Sequence, residues 1–270
     1  GWFLNALPLC RDLVGLDLEG VGLVGVAGAS LLAAALTGSS GVGGRLLSRL
    51  QVGGNDLSDD GVAVLAQALP AGLRVLGLAD TGITPSGWSS LGQALVKRCQ
   101  GLEELEVGGN AIGEIGASSL ALAVGGLPAL KRFCAPLANL VETGAKQLSA
   151  ALAQRTTLTY VDLSSNGLSD IGVHAFITGL GPLVTTLLLS SNCLTDATAE
   201  LMAGKIDQLT RVDLEFNSIS DTGCSTLLKA LSEKTSRALG DLLLTGNLVC
   251  PDMMARLNQA LARKACVQFD

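Results

Sequence analysis

The chain has 270 residues, 48% of them hydrophobic and 16% charged, which is enough apolar material for a large core in one or two domains. Its net charge of −6 speaks against nucleic acid as the main ligand, since phosphate binding needs a basic surface, and favours a basic partner. Seven cysteines, an odd number with no CxxC pair, point to buried thiols in a reducing compartment, and no apolar run reaches the roughly 18 residues of a membrane span.

In chain order, "LNALPLCRDL" at residues 4–13 resembles "LAQALPAGLRVL" at residues 65–76. Residues 1–12 are therefore expected to be the end of a preceding repeat helix or an amino-terminal cap. No signal peptide is legible, because Arg11 is the only basic residue among the first dozen. From Leu13 onward the pattern L-x-x-L-x-L-x-x-N-x-L recurs. It is met in full at Leu47, Leu50, Val52, Asn55, Leu57 and at Leu102, Leu105, Val107, Asn110, Ile112. It is met again with Asn166, Asn192, Asn217 and Asn247 in the asparagine column. Three degenerate copies carry Val21, Thr81 and Ala138 in that column. The nine positions from Val21 to Asn247 are spaced by about 28 residues on average, at the long end of the range for such repeats. "TGSSGVGGR", residues 37–45, lengthens the first interval and is expected to be a mobile loop. Pro136, beside the fifth strand, is expected to interrupt the asparagine series.

The pattern has a direct physical reading. L-x-L forms a short strand whose leucines point inward while alternate residues point out. An asparagine buried where the strand turns needs several hydrogen-bond partners, which one turn rarely supplies, so the neighbouring copy must supply the rest. Three residues later Ser58, Thr84, Ser169, Thr195 and Ser220 are expected to cap helices. Pro85 and Pro251, or Asp59, Asp170, Asp196 and Asp221, follow at the first helical position. Gly61, Gly87, Gly116, Gly144, Gly172 and Gly223 recur six residues beyond the asparagine column, where the helix start is expected to approach neighbouring backbone. "KACVQFD", residues 264–270, resembles the start of another strand with Val267 and Phe269 inward.

These motifs resemble the leucine-rich repeat family, and the repeat length with a helical second half is similar to its ribonuclease-inhibitor-like subclass. The resemblance covers residues 13–264. It implies an α/β fold: a right-handed solenoid, or horseshoe, with parallel strands on the concave face and helices on the convex face. One domain over residues 1–270 is expected, with nine repeats over 13–264 and a carboxy-terminal cap strand, or the start of a further repeat, over 265–270.

Catalytic chemistry is hard to assemble from these residues. His174 is the only histidine and reads as structural. "GVGGRLLS", residues 41–48, lacks the Lys and Ser/Thr of a phosphate loop and precedes a strand, so it reads as a plain loop. Cys134 projects outward on its strand and is the thiol of most interest, yet most such residues are inert. No enzyme activity, cofactor or metal is expected.

The outward strand positions carry more. Asp17, Glu19, Glu104, Glu106, Asp162, Asp213, Glu215 and Asp241 stand there against Arg49, Arg132 and Arg211. Either this is a solvated surface, or it is a groove for a protein with a basic surface, with Arg211 and Tyr160 as anchors. The expected function is a non-catalytic protein-interaction scaffold, intracellular, in the cytoplasm first and the nucleus second. Two alternatives rest on the resemblance: a sensor or autoinhibitory carboxy-terminal segment of a larger nucleotide-binding innate-immune receptor, or a GTPase activator of the Ran type. Functional residues of the latter do not carry over by motif.

Overall fold

Every fully or partly matched copy places its strand in the same frame. In the computed structural model, which describes Cys10 and residues 12–37, 46–140, 142–233 and 239–266, nine three-residue strands alternate with nine helices. The chain divides into two compact units, Gly1–Asn139 and Leu140–Asp270. The first unit holds β1 (Gly15–Asp17), α1 (Gly25–Thr37), β2 (Arg49–Gln51), α2 (Ser58–Ala68), β3 (Val75–Gly77), α3 (Gly87–Arg98), β4 (Glu104–Glu106), α4 (Gly113–Gly125) and β5 (Arg132–Cys134). The second holds α5 (Glu142–Ala153), β6 (Tyr160–Asp162), α6 (Asp170–Thr178), β7 (Thr186–Leu188), α7 (Asp196–Lys205), β8 (Arg211–Asp213), α8 (Asp221–Glu233), β9 (Asp241–Leu243) and α9 (Pro251–Cys266). Each unit is an α/β leucine-rich-repeat solenoid, its parallel strands paired in chain order.

Register follows directly from the repeat frame. Leu50 pairs with Leu76, Leu76 with Leu105 and Leu105 with Phe133. In the second unit Val161, Leu187, Val212 and Leu242 line up the same way. All are buried, as are helix leucines such as Leu65, Leu120, Leu148 and Leu227. Glycine at the helix start is required where helices crowd: a Cβ on Gly61 would stand 2.8 Å from the carbonyl oxygen of Gly25, and one on Gly223 2.5 Å from Asp196 Oδ1.

The asparagines form a hydrogen-bonded ladder that points backward along the chain. Asn192 donates through Nδ2 to the Leu189 and Ser190 carbonyls of its own turn and to Leu163 of the preceding one. Its Oδ1 accepts from the preceding turn's Asn166 and Leu168 N–H groups at 3.1 and 2.9 Å. Asn55, Asn110, Asn217 and Asn247 repeat the arrangement. Asn166 accepts from Leu140 N–H and donates to Leu163 and Ser164. Thr81 is less degenerate than its side chain suggests. Its buried hydroxyl donates to Leu78, the carbonyl an asparagine would take. Where the amide is missing, main chain substitutes: Leu57 N–H reaches the Thr81 carbonyl and Ile112 N–H the Ala138 carbonyl, both at 3.0 Å. Part of the ladder therefore persists at Ala138.

One column is uniformly left-handed. The residue before each ladder position has positive φ in all nine copies: Gly20, Gly54, Asp80, Gly109, Leu137, Ser165, Ser191, Phe216 and Gly246. Glycine adopts this freely, but Leu137 at +53° and Phe216 at +52° each carry strain of roughly 1–2 kcal/mol.

The helix starts follow expectation in three repeats and depart from it in two. Ser169, Thr195 and Ser220 do accept from N–H groups of the first turn. Ser58 makes no such bond, being itself left-handed at φ 60°. Thr84 makes none because the helix begins only at Gly87, two residues after Pro85, and its hydroxyl is given to Asp59 at 2.6 Å. Pro251 does open its helix. At the other end, the helix continues through Cys266, so the strand expected from residue 264 is not formed there. The expectations for residues 1–9, 38–45 and 267–270 lie outside the described residues.

That bond to Asp59 belongs to a second ladder, running forward. Asp170 accepts from the N–H and hydroxyl groups of both Thr195 and Thr198. Asp196 accepts from Ser220 N–H and hydroxyl at 2.7 and 2.6 Å, and Asp221 from Cys250 N–H at 2.9 Å. Burial pushes the Asp170 and Asp196 carboxyls up, but these donors outweigh it and hold both below the ordinary carboxylate range.

Asn192→Ala should lower stability by about 1–3 kcal/mol, since buried groups of two turns lose partners, whereas Thr81→Val should cost about 0.5–1.5 kcal/mol. Urea melts compare them, and equal losses would contradict the ladder's weight. A depressed carboxylate stabilises the fold above its unfolded-state pKa of about 3.9, and that stability is lost as pH falls through the folded value. Melting between pH 7 and pH 3 should therefore destabilise the native chain more than Asp170→Asn, which is weaker at pH 7 and flatter with acid.

Candidate binding surface

The face presented by the strands is half-buried to exposed, and its residues come from positions that the alternating pleat turns away from the core. Asp17, Glu19, Arg211 and Asp241 are exposed, while Glu104, Glu106, Arg132, Tyr160, Asp162, Asp213 and Glu215 are half-buried. Glu19 and Glu215 stand two residues past the ends of β1 and β8 and the others on the strands themselves, and cross-strand register distributes their charges unevenly.

In the first unit the two acids of β4 are already engaged. Glu104 lies opposite Arg132, whose guanidinium is 3.7 Å away. Gln51 folds across Gly77, where even a Cβ would collide with it, and donates to Glu106 at 3.3 Å. Glu103, just before β4, gathers Arg74 and Lys131. The hydrogen bond from Lys131 is the main cause of its lowered pKa. Such exposed pairs add little stability, but they compete with any incoming cation.

In the second unit Arg211 is held by Asp241 at 2.9 Å, which removes it as an unengaged anchor. Asp162 and Asp213 each accept only from backbone N–H two residues on, at 2.9 and 3.0 Å. No cation pairs with Asp162, Asp213 or Glu215 among the described residues. Nor do these carboxylates form the continuous stripe that repeat spacing suggests. Leu188 stands between Asp162 and Asp213 in register, and Leu243 follows Asp213. Tyr160 faces outward beside Thr186.

Apolar residues at the turn edges escaped the sequence reading. Phe216 is 58% exposed and Leu248 69% exposed. The available signal was a single aromatic in a column that otherwise holds mainly Gly, Ser and Asp. The helix side also has shallow features: a groove walled by Val96, Ser119 and Leu122, and another by Lys146, Ile171 and His174. His174 is exposed there. Cys134 is half-buried beside Glu106. Burial pushes the thiols of Cys99 and Cys224 up to about 11, which makes them poor nucleophiles. Among the described residues no three or more His, Cys, Asp or Glu converge to hold a metal ion, and no helix is long and apolar enough to cross a membrane.

Known proteins agree with this architecture. A family model described as Leucine Rich repeat matches residues 45–66, 98–121, 154–176 and 209–228. Ribonuclease inhibitor of Sus scrofa is 28% identical over 240 residues, covering 84% of this chain and 52% of that protein. The Homo sapiens NACHT, LRR and PYD domains-containing protein 5 is 30% identical over 209 residues, covering 70% of this chain and 17% of that protein. The chain thus spans about half the length of the inhibitor and a smaller part of the NACHT protein. Among solved structures, internalin C2 of Listeria monocytogenes superposes with a TM-score of 0.52 at 18% identity, covering 93% of this chain and 80% of its own. The plant peptide hormone receptor RGFR1 in complex with RGF2 has the same TM-score at 19% identity, covering 94% of this chain and 39% of its own. The strand frame, the asparagine ladder and these matches converge on one conclusion: the chain belongs to the leucine-rich repeat family, in its ribonuclease-inhibitor-like subclass.

Proposed function

We propose that the chain is a non-catalytic scaffold that binds a protein partner with a basic surface on the strand face, using Asp162, Asp213 and Glu215 as its principal charges. The observation that supports this reading is the set of three outward carboxylates that have no cation partner among the described residues, on a surface already formed by the strands. In the first unit Asp17, Glu19, Glu104 and Glu106 make the strand side there acidic as well, with Arg132 already paired to Glu104, and in the second unit Arg211 is paired to Asp241. Tyr160 supplies apolar contact beside the charges. No metal or cofactor enters the reading, nucleic acid is disfavoured by charge, and a reducing intracellular compartment suits seven cysteines without a CxxC pair.

A second reading follows from the match to a NACHT-containing protein. The chain would then be the repeat segment of a larger receptor, and the strand face would bind a basic surface of another domain of the same polypeptide. Expression of the encoding transcript at full length, with its flanking domains sequenced, separates this from an independent scaffold.

Electrostatic docking of this kind acts mainly on association rate and weakens as salt screens it. With a partner isolated by affinity capture, the rate should fall by about tenfold between about 0.05 and 0.5 M salt. Asp162→Lys/Asp213→Lys should lower it at low salt and flatten the salt dependence. Glu104→Lys/Glu106→Lys should do so more weakly. A rate insensitive to salt and to both reversals would reduce the strand-face acids to solvated surface.

A further inference from the structure

The turn edge of β8 and β9 places two large apolar side chains in water next to carboxylates that have no cation partner among the described residues. Phe216 is left-handed and exposed, and its ring lies over Gly246, where a Cβ would stand 2.5 Å from ring Cδ1. The aromatic can occupy that position only because the neighbouring column residue is glycine. Leu248, two residues beyond Gly246, is also exposed, and neither side chain contributes to the core. On the strand side of Phe216 stand Glu215 and Asp213, and Asp213 is in register with Leu188 on one neighbouring strand and Leu243 on the other. Apolar and acidic side chains therefore alternate over this corner.

We propose that this corner is a docking site for a short segment of a protein partner that presents an aliphatic or aromatic side chain to Phe216 and Leu248 and an adjacent arginine or lysine to Asp213 and Glu215. The inference rests on the scaffold reading and narrows it to one corner and one partner motif. Charge complementarity selects the occupant. A neutral apolar segment would cover the carboxylates and leave them desolvated without a counter-charge. A second copy of this chain would bring like charges together, and an anionic lipid surface would repel them. A purely basic segment would leave Phe216 and Leu248 in water, whereas an apolar anchor ringed by charge has the composition of an interface hot spot.

The test uses the full chain and three synthetic octapeptides: one alternating arginine and leucine, octa-arginine, and one alternating serine and leucine. Binding is followed by anisotropy and by amide shifts in the labelled chain at about 0.15 M salt. The mixed peptide should shift residues 213–216 and 245–248 and bind about tenfold more tightly than either control, as expected when one anchor is added. Phe216→Ser should erase that advantage while leaving the urea midpoint unchanged or raised, because a strained, exposed residue gives the fold nothing. A structural role would lower the midpoint instead. Glu215→Lys should weaken the mixed peptide and flatten its salt dependence. The inference is overturned if the mixed peptide binds no better than octa-arginine, or if Phe216→Ser leaves its affinity intact. Should octa-arginine then still shift Asp162 and Asp213, the broader scaffold reading stands. If no cationic peptide shifts any strand-face residue, both fall.

Discussion

A three-residue strand exposes its turn almost at once, and the backbone groups of that turn are buried against the next repeat. The asparagine amide that satisfies them is the interaction on which the remaining structure depends. It has enough donors and acceptors to serve its own turn and the one before it, as Asn192 does for Leu189, Ser190, Leu163 and Leu168. Each repeat is thereby held to its neighbour by bonds that neither could form alone, which is why stability in such arrays resides in interfaces between repeats.

The forward ladder of aspartates gives the helix side its own stitching. Asp170 and Asp196 sit where a carboxylate favours the helix dipole, yet their stronger engagement is with the cap of the following repeat. Backward amides near the strand and forward carboxylates near the helix constrain successive repeats at two separated points. Register across the strands then follows with little freedom, so the outward side chains form a fixed surface. That surface suits recognition, because a preorganised face loses little entropy on binding.

Much of the fold was legible because it depends on local spacing repeated many times. Leu50, Leu76, Leu105 and Phe133 occupy one column, and a column of buried apolar residues reads the same in every copy. Less legible were replacements in which backbone took over from side chain. Nothing in Ala138 itself announces that its carbonyl receives Ile112 N–H, since that bond depends on how closely two turns approach. Thr84 likewise looked like a helix cap, but a carboxylate 25 residues earlier in the chain takes its hydroxyl.

The sequence by itself determined the period, the inward columns, the ladder asparagines Asn55, Asn110, Asn166, Asn192, Asn217 and Asn247, and the identity of the outward residues. All of these are consequences of side-chain periodicity within one repeat. Only the tertiary structure decided which outward charges are available. Arg211 is tied to Asp241, Gln51 reaches over Gly77 to Glu106, Leu188 separates Asp162 from Asp213, and Phe216 stands exposed over Gly246. These relations join residues far apart in the chain, and they depend on strand register and side-chain reach, which no single repeat encodes.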